Sequence, residues 1–302
     1  MRFTIFQDSR QGDRQGNEDR VGYSYSRDVL LMTIADGMGG HAQGEVAAEI
    51  AVNEITRRFQ QEARNKLRKP AEFLVTAIQA AHHAILSHAV EHNLLECPRT
   101  TCVACIVQNG SAYWAHAGDS RLYLLRRGEL VAATQDHSRV QQMIESGEIT
   151  AEMAARHPDR NKIFSCLGGV VPPQISIGRE FPLQQGDTIV LSTDGFWAHI
   201  PANILGGMLR KQTLVDLMPG LLSEAHRRAR GESDNISVVA MTWENQADAR
   251  VADTQSMDDE QFASSSNSTQ ELDIGGSPDD VTDEDIERAI SDIQKALGKV
   301  PR

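Results

Sequence analysis

An α+β fold of layered helices and antiparallel β is what this 302-residue sequence predicts. Three observations carry the expectation. Short β-branched and aliphatic runs come first and last, with helical stretches between them; strict βαβ alternation is missing; and several strands are joined by connections too short for parallel crossovers. The length suits one large domain with a substantial core, or two smaller ones.

Residues 3–6, 21–25 and 29–35 are short apolar runs separated by polar turns and read as strands. Residues 45–61 read as a helix because Ala47, Ala51, Ile55 and Phe59 recur at i+4. Residues 71–92 follow the same logic, with Leu74, Ile78, Ala81 and Ile85 on one stripe that His88 continues toward the core. Strands are expected at 101–107, 112–117 and 121–126, with Gln108-Asn109-Gly110-Ser111 as a hairpin turn. From 138 to 162 the chain becomes charged and helical, with Pro158 ending it, and the next strand comes at 175–177. Strands at 188–193 and 236–242 close the pattern, around a helix at 214–229.

After Trp243 the composition turns to Asp, Ser, Asn, Gln and Thr. A segment this poor in large apolar residues cannot offset its ordering entropy, so 245–281 reads as an acidic disordered linker. Residues 282–302 read as an amphipathic helix with Ile286, Ile290, Ile293 and Leu297 on one stripe. It either docks on its own domain or binds a partner from a tether.

The formal net charge of −12 is unevenly spread. Residues 245–285 hold −11, residues 286–302 hold +2, and residues 1–244 only −3. Nothing basic enough for nucleic acid is present. No leader-like opening and no run near the roughly 18 apolar residues of a membrane span is evident, so a cytoplasmic protein with no membrane partner is expected. Cys97, Cys102, Cys105 and Cys166 are too few and too irregular for a disulfide framework. Cys102 and Cys105 lie an odd spacing apart on a strand, which sends their thiols to opposite faces as buried small hydrophobes.

The chemistry lies at five acidic positions, each beside a β-type run: Asn17-Glu18-Asp19, Asp36-Gly37, Asp119, Asp194-Gly195 and Asp234-Asn235. Converging carboxylates repel one another, so such a cluster calls for protons or cations, and hard divalent cations prefer oxygen ligands. A di-metal centre is therefore expected. A nucleotide-binding glycine loop at 36–40 is the rival reading, but no Gly-Lys-Ser/Thr or G-x-G-x-x-G accompanies it, and Asp36 would repel phosphate. His88-Ala89-Val90-Glu91-His92 matches a zinc-peptidase pattern, with no third ligand evident downstream.

Six motifs occur in order: Arg14-Gln15-Gly16-Asn17-Glu18-Asp19, Ala35-Asp36-Gly37-Met38-Gly39-Gly40, Gly118-Asp119-Ser120-Arg121, Gln135-Asp136-His137-Ser138, Ser192-Thr193-Asp194-Gly195 and Asp234-Asn235. In these the chain resembles the metal-dependent serine/threonine protein phosphatases of type 2C, the bacterial branch above all. The resemblance implies a four-layer αββα sandwich, two antiparallel sheets with helices on both outer faces. It further implies a phosphatase domain at 1–244, with a flap-like insertion at 138–164. Its implied reaction is hydrolysis of phosphoserine and phosphothreonine in proteins by water activated between two manganese or magnesium ions, opposing a cognate kinase. Asp36 would bridge both ions, Asp194 and Asp234 would serve one, and Glu18 and the Gly37 carbonyl the other. Asp19 would hold a metal-bound water from outside the coordination sphere, and Arg14 would clamp the substrate phosphate.

Departures qualify the match. Met38 stands where animal relatives carry a His proposed as general acid, which leaves that role unassigned, with His41 as a candidate. Ala198 replaces an Asp that in many relatives helps bind a third ion, so the place of Asp119 stays open. Ser165 and Cys166 replace an Arg-Ala pair. A catalytically weak phosphoprotein-binding relative, or a hydrolase of other phosphoesters, is the alternative function.

Overall fold

A computed structural model describes residues 1–38, 43–63, 66–154, 156–245 and 263–264. Strands β1 (Arg2–Arg10), β2 (Asp19–Tyr25) and β3 (Val29–Met38) precede helices α1 (Gly44–Glu62) and α2 (Pro70–Glu91). A meander follows: β4 (Arg99–Thr100), β5 (Cys102–Gln108), β6 (Ser111–Ala117), β7 (Arg121–Arg126) and β8 (Glu129–Ala133). Short elements come next: α3 (Arg139–Glu145), α4 (Ala151–Ala154), β9 (Ser176–Ile177), β10 (Phe181–Pro182) and β11 (Thr188–Ser192). Helices α5 (Asp194–Trp197), α6 (Ala202–Leu209) and α7 (Leu214–Arg228) then lead to β12 (Ile236–Asn245) and β13 (Ala263–Ser264).

One sheet has the order β1-β12-β11-β7-β8; the other runs β10-β6-β5-β3-β2-β13, with β4 beside β3 and β9 beside β6. All of these pairings are antiparallel. Burial on both faces explains why β3 and β5 are mostly apolar. On β3, Leu30, Met32 and Ile34 fill the core between the sheets, while Val29, Leu31 and Ala35 meet α1 and α2 outside. On β12, Val239, Met241 and Trp243 face inward, and Ile236, Val238 and Ala240 lie under α5, α6 and α7. Three cores thus separate four layers, the αββα sandwich expected. Each fully buried Leu or Ile stabilises it by about 1.5–3 kcal/mol through leaving water.

Several sequence expectations are refined. The 108–111 turn holds, with Asn109 at φ 53 and Gly110 at φ 75, the paired positive angles of a tight hairpin. Cys102 and Cys105 face different cores. Strand β3 runs past Asp36 to Met38 because Gly37 and Met38 pair with Thr100 and Arg99 of β4, so Asp36 lies within a strand. The expected helix over 138–162 is two short helices joined by turns, α3 being capped by Ser138, whose hydroxyl accepts from the Gln141 N–H at 3.2 Å. His88 is half-buried and stacks on His92 at 4.0 Å, whereas His82 and Ala89 take the buried positions. Helix α2 is also long and apolar enough to span a membrane by composition, contrary to the sequence reading, but its Phe73, Leu74, Ile78 and Ile85 pack into the outer core. Of the predicted linker at 245–281 only Asn245 and Ala263–Ser264 are described, the latter two paired with Tyr25 and Ser24; the helix at 282–302 lies outside the described residues.

Candidate functional site

Antiparallel pairing brings the acidic positions to one end of the sandwich. Asp19 opens β2 directly opposite Asp36 of β3, and the Gly37 N–H donates to the Glu18 carbonyl at 3.2 Å. Asp119 sits in the tight connection from β6 to β7. Ser192 at the end of β11 pairs with Arg121 on one side and Val238 on the other, which sets Asp194 between Asp119 and the start of β12. Asp234 precedes β12, whose Ile236 pairs with Arg10.

Neutral side chains fix the backbone around these carboxylates. Thr101 Oγ1 accepts the Asp36 N–H at 3.0 Å and lies 2.8 Å from Ser120 Oγ, while Thr100 Oγ1 donates to the Asp36 carbonyl at 2.9 Å. Asn235 pins the β1–β2 connection at three points: its Oδ1 accepts the Glu18 N–H at 2.8 Å, and its Nδ2 donates to Gln11 O and Gly16 O at 2.7 and 2.8 Å. Thr193 Oγ1 donates to Asp19 Oδ2 at 2.8 Å.

Glycines at the start of α1 complete a cradle. A Cβ on Gly44 would lie 2.5 Å from Glu18 Oε2 and 2.7 Å from the Gly37 carbonyl carbon, and one on Gly37 would strike the Gly44 carbonyl. Only glycine lets the Glu18 carboxylate and the Gly37 carbonyl come together against α1.

The electrostatics follow from this crowding. Asp36, Asp119 and Asp194 keep a partly exposed edge but are otherwise enclosed by protein. Burial, then the charges of Asp19, Asp194, Asp119 and Asp234, hold the Asp36 carboxyl well above the ordinary range. Burial pushes Asp19 up to about 7 even though Thr193 and Ser237 bond to it. Asp119 rises to about 7 through burial and then Asp194, and Asp194 to about 6 through burial and then Asp234. Glu18 is raised by burial and by Glu45. Two cations stand nearby. Arg14, mostly exposed, donates to Asp234 Oδ2 at 2.8 Å. Arg121 is committed elsewhere, in a two-pronged bond to Asp136 at 2.8 and 2.7 Å, with its guanidinium 3.5 Å over the Trp197 ring.

The sequence-predicted residues Arg14, Glu18, Asp19, Asp36, Gly37, Asp119, Asp194 and Asp234 therefore share one site. Gly39, Gly40 and His41 lie outside the described residues. The donor set suits hard divalent cations, being all oxygen and carrying more negative charge than its two arginines balance. Among the described residues no three such groups already close around an ion, and Asp234 is engaged by Arg14 instead. Sequence reasoning missed Thr101, Thr193, Asn235 and Gly44 as supports. Thr193 and Asn235 lie inside quoted motifs, and that proximity was the only signal; Thr101 and Gly44 gave none.

Residues 7–242 match the family profile described as Protein phosphatase 2C. Serine/threonine phosphatase stp of Listeria monocytogenes is 32% identical over 238 residues, spanning 78% of this chain and 93% of the relative. Serine/threonine protein phosphatase PstP of Mycobacterium tuberculosis is 33% identical over 234 residues, 75% of this chain and 42% of the relative. Among solved structures, the S. agalactiae serine/threonine phosphatase superposes with a TM-score of 0.73 at 28% identity, covering 80% of this chain and 100% of that one. The catalytic domain of PstP in complex with two manganese ions superposes with a TM-score of 0.67 at 29% identity, covering 80% and 99%. Motif order, four-layer architecture and these likenesses agree, and the chain belongs to the protein phosphatase 2C family.

Proposed function

We propose that this chain hydrolyses phosphoserine and phosphothreonine in proteins, with two manganese or magnesium ions held among Glu18, Asp36, the Gly37 carbonyl, Asp194 and Asp234. The observation that carries the reading is the convergence of these enclosed, mutually repelling carboxylates at one end of the sandwich. Support for the ion pair comes from the two manganese ions of the PstP complex. Bound there, two divalent cations supply the charge that ionises an attacking water and stabilises both oxygens of an in-line displacement at phosphorus.

The chain's own groups divide the remaining work. Arg14 presents an exposed planar guanidinium beside Asp234, suited to a forked grip on phosphate oxygens. Asp19, held by the Thr193 hydroxyl and opposite Asp36 in the sheet, would hold a water at the ions from outside their coordination sphere. Asp119 is a further oxygen donor, left outside the two-ion shell because Ala198, four residues after Asp194, stands where many relatives carry the Asp that helps bind a third ion. We assign residues 1–244 to the phosphatase domain and 138–164 to a flap beside the site. For the acidic segment 245–281 and residues 282–302, whose apolar stripe predicts a helix, docking on this domain and partner recruitment from a tether are the two roles proposed; the protein is assigned to the cytoplasm, opposing a serine/threonine kinase.

The test is phosphate release from a phosphothreonine peptide with and without manganese, in wild type and Asp36→Asn. Wild type should require the metal, and the substitution should lower turnover about a hundredfold or more, since it removes a shared ligand. Metal-independent release, or equal rates in the two proteins, would overturn the proposal.

A further inference from the structure

The segment Gln135-Asp136-His137-Ser138 has no part in that chemistry, yet it grips the Gly118–Arg121 turn. The His137 N–H donates to Gly118 O at 2.9 Å, and the Gly118 N–H donates back to His137 Nδ1 at 3.3 Å. Asp136 holds Arg121 by both prongs of its guanidinium. On its far side Gly118, at φ +109, abuts Thr101, whose hydroxyl orders the Asp36 backbone. A Cβ there would lie 2.7 Å from Thr101 Cβ, so the close approach requires glycine.

The same histidine roots the 138–164 segment. The Phe164 N–H donates to His137 O at 2.8 Å, Ser138 bridges Ile163, and the Arg139 N–H donates to Lys162 O at 2.9 Å. His137 Nε2 lies 2.8 Å from Ser176 Oγ, and Ser176 opens β9, paired with His116 of β6. Because Nδ1 accepts from an amide, the ring proton of neutral His137 resides on Nε2 and points to Ser176. Burial and the neighbouring His116 ring, stacked at 4.6 Å, pull His137 down to about 4, which keeps it neutral at ordinary pH. His116 is itself held by Gln135 O at 2.8 Å.

We infer that His137 is a positioning residue: its N–H and Nδ1 hold Gly118 beside Asp119, its carbonyl holds Phe164 at the far root of segment 138–164, and Nε2 ties this assembly to Ser176 of β9. The placement of Asp119 and the placement of that segment are set together. This rests on reading Asp119 as part of the acidic site.

The test uses the full chain with His137→Asn, His137→Gln or Ser176→Ala. Asparagine puts an amide oxygen near the Nδ1 position and keeps an acceptor for Gly118; glutamine reaches toward Ser176 and gives that acceptor up. Amide hydrogen exchange at Gly118 is measured without metal, and kcat and KM for a phosphothreonine peptide with manganese. His137→Gln should speed Gly118 exchange about tenfold and lower kcat about tenfold, the scale of one lost hydrogen bond. His137→Asn should stay near wild type in both, and Ser176→Ala should speed exchange by a smaller factor with KM altered more than kcat. Equal exchange at Gly118 in all four proteins would overturn the inference, as would equal kcat losses in the Asn and Gln variants that merely track thermal stability. Should either His137 variant fail to fold, unchanged exchange in Ser176→Ala is the overturning result. A wild type without manganese-dependent release sinks the phosphatase reading and leaves the exchange result standing.

Discussion

Asp19 and Asp36 face each other across β2 and β3, a like-charge pair that destabilises a sheet unless protons or cations intervene. Metal-free protein therefore carries a penalty whose sign with pH follows from the raised carboxyls. Below about pH 3.8 these groups are protonated both folded and unfolded. As pH rises the unfolded chain ionises first, so folded-state stability is lost through the range up to about 6 for Asp194 and about 7 for Asp19 and Asp119. Buried His82, His116 and His137 and half-buried His199 act oppositely, because desolvation holds each below its ordinary value and unfolding lets it charge in acid. Wild type minus Asp36→Asn cancels the histidines. Without metal, the Asn variant should melt higher than wild type, and the gap should widen by several degrees from pH 5 to pH 7.5. Saturating manganese at pH 7.5 should close or invert it. A gap independent of pH would show that the Asp36 cluster is not under charge strain.

At the level of elements, the start of α1 is built for Glu18. In Gly44→Ala the new methyl meets Glu18 Oε2 and the Gly37 backbone, so a cost of about 1–3 kcal/mol is expected together with a loss of manganese-dependent activity. Gly220→Ala, on the exposed side of α7 with nothing within 4 Å, should instead stabilise by about 0.5–1 kcal/mol with activity unchanged. Urea midpoints and peptide turnover on both variants check the contrast; similar effects of the two would refute the cradle. The same elements show what was legible in the sequence. Strands β3, β5, β11 and β12 stand out because burial on two faces makes them mostly apolar. Strand β8 was missed because it is an exposed hairpin partner whose Leu130 and Val131 reach solvent. Helix α5 was hidden by Asp194-Gly195, which reads as a turn, and α6 by Gly206-Gly207. The carboxylates were legible because each stands at the start or end of a β-type run in a short motif. Thr101 and Gly44 were not, since a hydroxyl or a glycine beside a strand end carries no periodic signal and gains its role only when distant strands meet.

For the whole molecule, charge and architecture divide at the same place. Residues 1–244 carry only −3 of the −12 net charge, and the three cores are complete by β12, whose Asn245 pairs with Arg2. Among the described residues, truncation after Asn245 removes no core side chain and no member of the acidic site, and costs only the pairing of Ala263–Ser264 with the edge of β2. Hydrolysis of a short phosphothreonine peptide by the truncated chain should therefore stay within about twofold of the full chain, with the melting temperature shifted by no more than about 2 °C. A large phosphoprotein substrate is a different case. If the acidic segment and residues 282–302 recruit it, truncation raises KM for that substrate alone, and adding salt weakens the full chain's advantage because charge attraction is screened. Parallel rate measurements on peptide and protein substrates separate the two roles: losses confined to the protein substrate mark a tether, whereas a collapse on the peptide as well would make residues 246–302 part of the catalytic unit and move the domain boundary with them.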